Sequence, residues 1–164
     1  MQVSARLYQP SKKDLDVLTE ELHRLMNNPR INLGLLVEAL LQSLSDGYEP
    51  SFVGVYRQAP LHNPDFLMHF PFVIGQTPNQ KKRLASGILE GQCSDMGEYA
   101  CVDGTITHAD VAFTKIYDTS AVNPVPIQYA GTSIDGTQYE GTWHFNFPMS
   151  DMETQGTFTM KRIA

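Results

Sequence analysis

The chain is poor in charge, in cysteine and in long apolar runs, and each shortage removes a class of function. Charged side chains make up 18% of the 164 residues, against about 25% in an average soluble domain. Hydrophobic residues make up 41%. Disorder needs the reverse balance, so a folded domain is expected over most of the length. Basic residues are the scarcer sign: 12 Lys and Arg face 18 Asp and Glu, for a net charge of −6. Nucleic-acid affinity comes from cations that neutralise phosphates, and this balance argues against such a partner. The densest basic cluster, Lys81-Lys82-Arg83, is too short to signify more than a solvated turn.

The longest apolar stretch is the broken run from Leu33 to Leu44, well short of the roughly 20 residues that span a bilayer. The opening MQVSARLYQPSKKD lacks the continuous apolar core of a secretory signal. No membrane association and a cytoplasmic location are therefore expected. Two cysteines, Cys93 and Cys101, do not make a disulfide framework and read as reduced thiols. The histidines are scattered: His62 and His69 lie across a loop, and His23, His108 and His144 fall on separate elements. No His-x-His, His-Glu-x-x-His or Cys-x-x-Cys spacing occurs, so no metal and no cofactor are expected. A phosphate-binding glycine loop and a Gly-x-Ser-x-Gly elbow are also missing. Glu90, Asp95 and Glu98 fall near one hairpin and read as solvated turn carboxylates rather than an acid–base pair.

What the chain does have is aromatic bulk, with 8 Phe, 7 Tyr and the single Trp143, and a change of period. One domain over residues 1–164 is expected, with a helical N-terminal segment, 1–50, ahead of a β-barrel, 51–164. Ser11 to Asp14 resembles a helix start, and Leu15, Leu18, Leu22 and Leu25 form an amphipathic stripe that Asn27-Asn28-Pro29 ends. A second helix is expected from near Asn32 through Leu36, Leu40 and Leu44, stopping near Gly47 in a left-handed cap. It is apolar on more than one side, so it is either well buried or part of a partner surface.

From Phe52 the period becomes two. Strands are expected at Ser51 to Tyr56, Phe66 to Ile74, Leu84 to Gly91, Glu98 to Val102, Thr105 to Tyr117, Pro126 to Thr132, Gln138 to Phe147 and Gly156 to Arg162. Eight strands at short intervals, with no helix-length crossover, predict a mainly β fold: an antiparallel up-and-down barrel preceded by two helices. Asp103-Gly104 and Asp135-Gly136 are hairpin signals. Three-residue loops with a left-handed glycine at the third position would put Tyr99, Cys101, Val111, Phe113, Lys115 and Tyr117 on one face. They would likewise group Ile127, Tyr129, Gly131, Gly141, Trp143, Phe145 and Phe147. The aromatic face should point inward, leaving Thr114, Thr132, Thr142, His144, Thr157 and Thr159 outside.

Phe113-x-Lys115-x-Tyr117, Tyr129-x-Gly131, Gly141-x-Trp143 and Gly156-x-Phe158-x-Met160 give residues 51–162 a pattern that resembles the calycins. That group includes the lipocalins and the fatty-acid-binding proteins. The resemblance implies a barrel around a small-ligand pocket. A lipocalin would carry Gly-x-Trp near its first strand, where this chain has Phe52-x-Gly54-x-Tyr56. The expected helices precede the barrel, whereas the fatty-acid-binding proteins insert a helical lid between strands one and two. No ligand-contacting role is therefore transferred residue by residue.

Lys115 breaks the pattern. An ammonium at inward parity is costly unless paired or wetted. One reading makes it the contact for an anionic or carbonyl-bearing ligand; the other has it snorkel at the rim or pair with a structural carboxylate. Tyr56, Tyr99, Phe113, Tyr117, Tyr129 and Trp143 would complete a ligand-binding set. The expectation is a non-enzymatic barrel for a small apolar or amphipathic ligand. The alternative is a filled barrel serving as an interaction module, with a partner or a homodimer contact through the apolar helix. An enzyme with its active site in the barrel mouth ranks third.

Overall fold

Period-two alternation takes over after residue 48 and resolves into eight strands. The computed structural model describes Glu20 and residues 32–59, 65–95, 97–118, 125–145 and 155–163. The expected first helix, with its stripe from Leu15 to Leu25, lies outside the described residues. The strands are β1 (Glu49–Gln58), β2 (Met68–Gln76), β3 (Ile88–Asp95), β4 (Glu98–Ile106), β5 (Asp110–Tyr117), β6 (Ile127–Thr132), β7 (Gln138–His144) and β8 (Gln155–Arg162). Each pairs antiparallel with the next, and β8 pairs back onto β1, so the sheet closes into a barrel.

Helix α1 (Leu33–Ser45) forms where its spacing predicts. The Asn32 side chain accepts from the Leu35 N–H at 3.2 Å, filling one of the orphan donors of the first turn. Gly47 leaves the helix with φ +83°, a conformation that costs a glycine nothing. Leu36, Ala39 and Leu40 bury against Val53 and Val73 on the outer side of β1 and β2. The helix thus lies outside the barrel and plugs neither end. Gly75 on β2 makes room for it, because a Cβ there would come within 2.3 Å of Ser43 Oγ.

Among the described residues the helices do not all precede the barrel. A short helix, α2 (Pro78–Arg83), sits between β2 and β3 and runs into a 3-10 turn, Leu84–Ser86. The alternation alone predicts a strand from Leu84. Local chemistry overrides that pattern: Thr77 and Gln80 form a capping box, and Pro78 takes the first helical position, where its missing donor is harmless. Lys81, Lys82 and Arg83 therefore form the last turn of a helix. Lys81 pairs with Glu49 at 2.6 Å.

A second correction concerns Asp103-Gly104, which is not a turn. Both residues lie within β4, with Gly104 opposite Phe113 and Asp103 opposite Thr114. Gly104 is there for close approach: a Cβ would sit 2.0 Å from the Ala112 carbonyl oxygen and 2.5 Å from Phe113 Cα. The chain reverses at Thr107 to Ala109 instead, where Thr107 Oγ1 accepts from the N–H groups of Ala109 and Asp110 at 3.2 and 2.9 Å. Ala100 opposes Tyr117, Val102 opposes Lys115 and Ile106 opposes Val111. Opposed residues share a face, so Tyr99 and Cys101 turn outward, not inward with Phe113. Cys93 is buried and Cys101 exposed, both as free thiols.

At the other hairpin the expected face holds. Tyr129 opposes Trp143 and Gly131 opposes Gly141, a register two residues wider than a three-residue loop would produce. Gly136 has φ +78°, as expected.

Aromatic and aliphatic side chains pack together inside the barrel. Phe113 stacks on Tyr129 at 4.7 Å, and Phe158 meets both rings edge-on at 6.2 and 5.1 Å. One end closes over buried Leu84, Ile106, Val111 and Tyr139. The Tyr139 hydroxyl donates to the Thr107 carbonyl at 2.6 Å, tying two hairpins together there. At the opposite end Phe70, Tyr117, Ile127 and Phe145 are only partly buried and pack on the core beneath them.

Candidate functional site

That second end carries the barrel's internal charge. Lys115 is 1% exposed and so is Asp95, the last residue of β3. Their strands are separated by β4, whose inward residues there are Ala100 and Val102. Lys115 Nζ donates to Asp95 Oδ2 at 2.8 Å. The Tyr117 hydroxyl approaches both carboxylate oxygens, at 3.0 and 2.9 Å. Cys93 Sγ lies 3.8 Å from Oδ2. Three rings enclose the ammonium, with centres 4.6 Å (Tyr56), 4.7 Å (Tyr117) and 5.4 Å (Tyr129) from Nζ. In a dry site each such ring is worth up to about 2 kcal/mol to a cation.

Around this layer Tyr56 stacks on Phe70 at 5.0 Å and meets Trp143 edge-on at 6.1 Å. Trp143 stacks on Phe145 at 6.0 Å. Its indole N–H donates to the Arg57 carbonyl at 3.0 Å. Of the residues expected to gather, Tyr56, Phe113, Lys115, Tyr117, Tyr129 and Trp143 do so. Tyr99 is separated from them on the outer face, opposite Ser94.

Asp95 belongs to the site although the pattern makes it a solvated turn carboxylate. That expectation follows from ending β3 at Gly91. The alternation Leu89, Gly91, Cys93 carried two residues further puts Asp95 inward, so the signal is present in the sequence.

The electrostatics are those of a sealed pair. Burial alone would lower the Lys115 pKa, but Tyr129, Asp95, Cys93 and Tyr117 outweigh it and hold the ammonium well above its ordinary value. Burial pushes the Tyr56 and Tyr117 hydroxyls up, with Lys115 opposing. Burial likewise lifts Tyr129 and the Cys93 thiol, each to about 12. These hydroxyls, the thiol and the ammonium all keep their protons at neutral pH. An amine nucleophile or general base needs a depressed lysine pKa, and Lys115 is shifted the opposite way.

Comparison of the chain with protein-family models, with curated proteins and with solved structures finds no match. The architecture stands on its own as a closed eight-stranded antiparallel barrel. Among the described residues no group of three or more His, Cys, Asp or Glu side chains is set to hold a metal. No helix among them is long and apolar enough to cross a membrane.

Proposed function

We propose that this protein is a non-enzymatic small-molecule carrier or sensor that takes its ligand at the Phe70–Tyr117–Ile127–Phe145 end of the barrel. The observation that carries the reading is the asymmetry of the interior. One end is closed by buried side chains whose polar groups, the Gln76 amide and the Tyr139 hydroxyl, donate to backbone carbonyls, while the other sets a charged and hydroxyl-bearing layer directly beneath a partly exposed aromatic rim. Apolar walls with a few converging polar groups are the usual make-up of a ligand site. The calycin-like strand pattern supports the same reading at the level of fold.

The ion pair narrows the ligand class. Asp95 already neutralises Lys115, so an anion entering at this end would add an unmatched charge to a dry layer. A neutral, partly apolar molecule with a carbonyl or hydroxyl fits better. It would seat among the rim rings and exchange hydrogen bonds with the tyrosine hydroxyls or the remaining ammonium protons.

The test is native mass spectrometry of protein purified from its expression host, beside titration with Nile red, an uncharged aromatic carbonyl dye. A bound mass lost on denaturation, or saturable one-site dye uptake, is expected. Ile127→Trp, which fills the rim, should reduce either by about tenfold or more. An apo mass together with no saturable dye binding would defeat the reading.

The interaction reading keeps one specific support. Leu36 and Leu40 are buried in the chain's own fold, but Val37 and Leu41 on α1 are 44% and 59% exposed. If that face joins two copies, Leu41→Lys converts a dimer to a folded monomer in sedimentation; a monomer in both proteins excludes it.

A further inference from the structure

A groove of about 590 Å³ opens beside the rim, where β1 ends, β7 ends and β8 begins; Arg57, Leu67, Thr142, Trp143, His144 and Thr157 line it. The size falls within the range of about 300–1,000 Å³ typical of small-ligand sites. Glycine at position 156 makes room for the indole beneath the groove. Gly156 lies directly opposite Trp143, and a Cβ there would come within 2.6 Å of the indole nitrogen. The indole therefore crosses β8 where a side chain would otherwise stand, and its N–H is held by the Arg57 carbonyl.

Arg57 is the chemically telling residue. It is half-buried, and its guanidinium donates to Thr159 Oγ1 at 3.0 Å. No carboxylate among the described residues lies at ion-pair distance from it. Burial depresses its pKa, and the field of Glu140 restores only part of that loss. A guanidinium half out of water, answered at close range among the described residues by a neutral hydroxyl, favours an incoming anion. Its planar fork matches a carboxylate in two parallel hydrogen bonds. His144 and the Thr142 and Thr157 hydroxyls supply further donors, while Leu67 offers apolar surface above the buried Trp143. Glu140 limits the charge the groove accepts and disfavours a dianion.

We propose that this groove is a binding site for a small organic monoanion, a carboxylate on a flat apolar body, with Arg57 holding the carboxylate and Leu67 flanking the body above the buried Trp143. The site is distinct from the barrel mouth and does not depend on a ligand binding there.

The probe is 2-naphthoate, with the uncharged 2-naphthamide as its isostere, each titrated into the whole protein by calorimetry and by ¹⁵N–¹H correlation spectra. Naphthoate should bind at one site at least tenfold more tightly than the amide, and more weakly as salt is raised. Its shifts should centre on the Trp143 indole N–H and on residues 142–144 and 155–157. Arg57→Met keeps the aliphatic stem and should weaken naphthoate tenfold or more, leaving the amide unchanged. Ile134→Ser, on an exposed turn at the far end of the barrel, should leave both unchanged. Equal affinity for acid and amide with both sets of shifts on residues 142–144 and 155–157, no saturation at millimolar naphthoate, or naphthoate shifts centred on residues 115–117 would each overturn the proposal. Those three outcomes are read on the unaltered protein, so they decide the matter even if Arg57→Met fails to fold.

Discussion

Lys115 and Asp95 stabilise the barrel only as a pair. Each is buried, and each is the other's answer to the cost of leaving water. Lys115→Met strands a carboxylate beneath the rim with, among the described residues, the Tyr117 hydroxyl and the Cys93 thiol bonded to it. It should cost about 3–5 kcal/mol in urea unfolding, and Asp95→Leu should cost a similar amount by stranding the ammonium. The double variant should recover most of the loss, because two apolar side chains of similar volume need no partner. Single-variant losses that simply add in the double variant would show that the two charges do not act together. Lys115 stands out in the sequence because a charge at inward parity is conspicuous between Phe113 and Tyr117. Its partner does not, because the contact spans β3 to β5 and no local pattern pairs residues across an intervening strand.

At the scale of elements, the hairpin from β4 to β5 decides what the barrel wall presents. Gly104 allows β4 to lie against Phe113 without a gap, so Gly104→Ala should cost about 1–3 kcal/mol through forced displacement of the backbone. A glycine inserted between Thr107 and His108 lengthens an exposed turn and should change the urea midpoint little. The same insertion between Asp103 and Gly104 would turn Val102 and Ala100 outward and should abolish the cooperative transition. If the two insertions behave alike, β4 does not run through Gly104. The strands themselves are legible from alternation and punctuation, as are α1 and its caps. The hairpin is not, because Asp-Gly signals a turn only where the backbone needs positive φ, as at Gly136. Glycine demanded instead by close approach of the neighbouring strand's backbone looks the same in sequence. Helix α2 escapes pattern reading for a different reason. Its six residues carry no apolar stripe, and only the Thr77–Gln80 box marks its start.

At the scale of the whole molecule, the buried hydroxyls and the ammonium set where the barrel gives way with pH. In the unfolded chain tyrosines release their protons near about pH 10 and lysine near about 10.4. In the fold, burial holds Tyr56 and Tyr117 well above that range and Tyr129 at about 12, while Lys115 is raised by its neighbours against the pull of burial. Above about pH 10 the unfolded chain thus binds fewer protons than the native one, so unfolding becomes more favourable as pH rises. The sign is the same for both residue types. The lysine's contribution is complete below its unfolded pKa and is lost as pH climbs towards its folded value. Each group that keeps its proton only in the fold lowers stability by about 1.4 kcal/mol per pH unit across its window. The urea midpoint should therefore start to slip above about pH 8.5, where the unfolded Cys93 thiol ionises while the buried one keeps its proton, and fall steeply from about pH 10 to 11. Tyrosinate absorbance near about 295 nm should rise in two stages, the second coinciding with loss of the fold. Tyr117→Phe should reduce the alkaline slope by about one proton, since the unfolded chain then has one fewer hydroxyl to ionise. A midpoint unchanged through about pH 11, or complete tyrosine titration near about pH 10 with the fold intact, would mean that water reaches this layer freely. The end of the barrel would then be wet and open, and the ion pair would owe little to its enclosure.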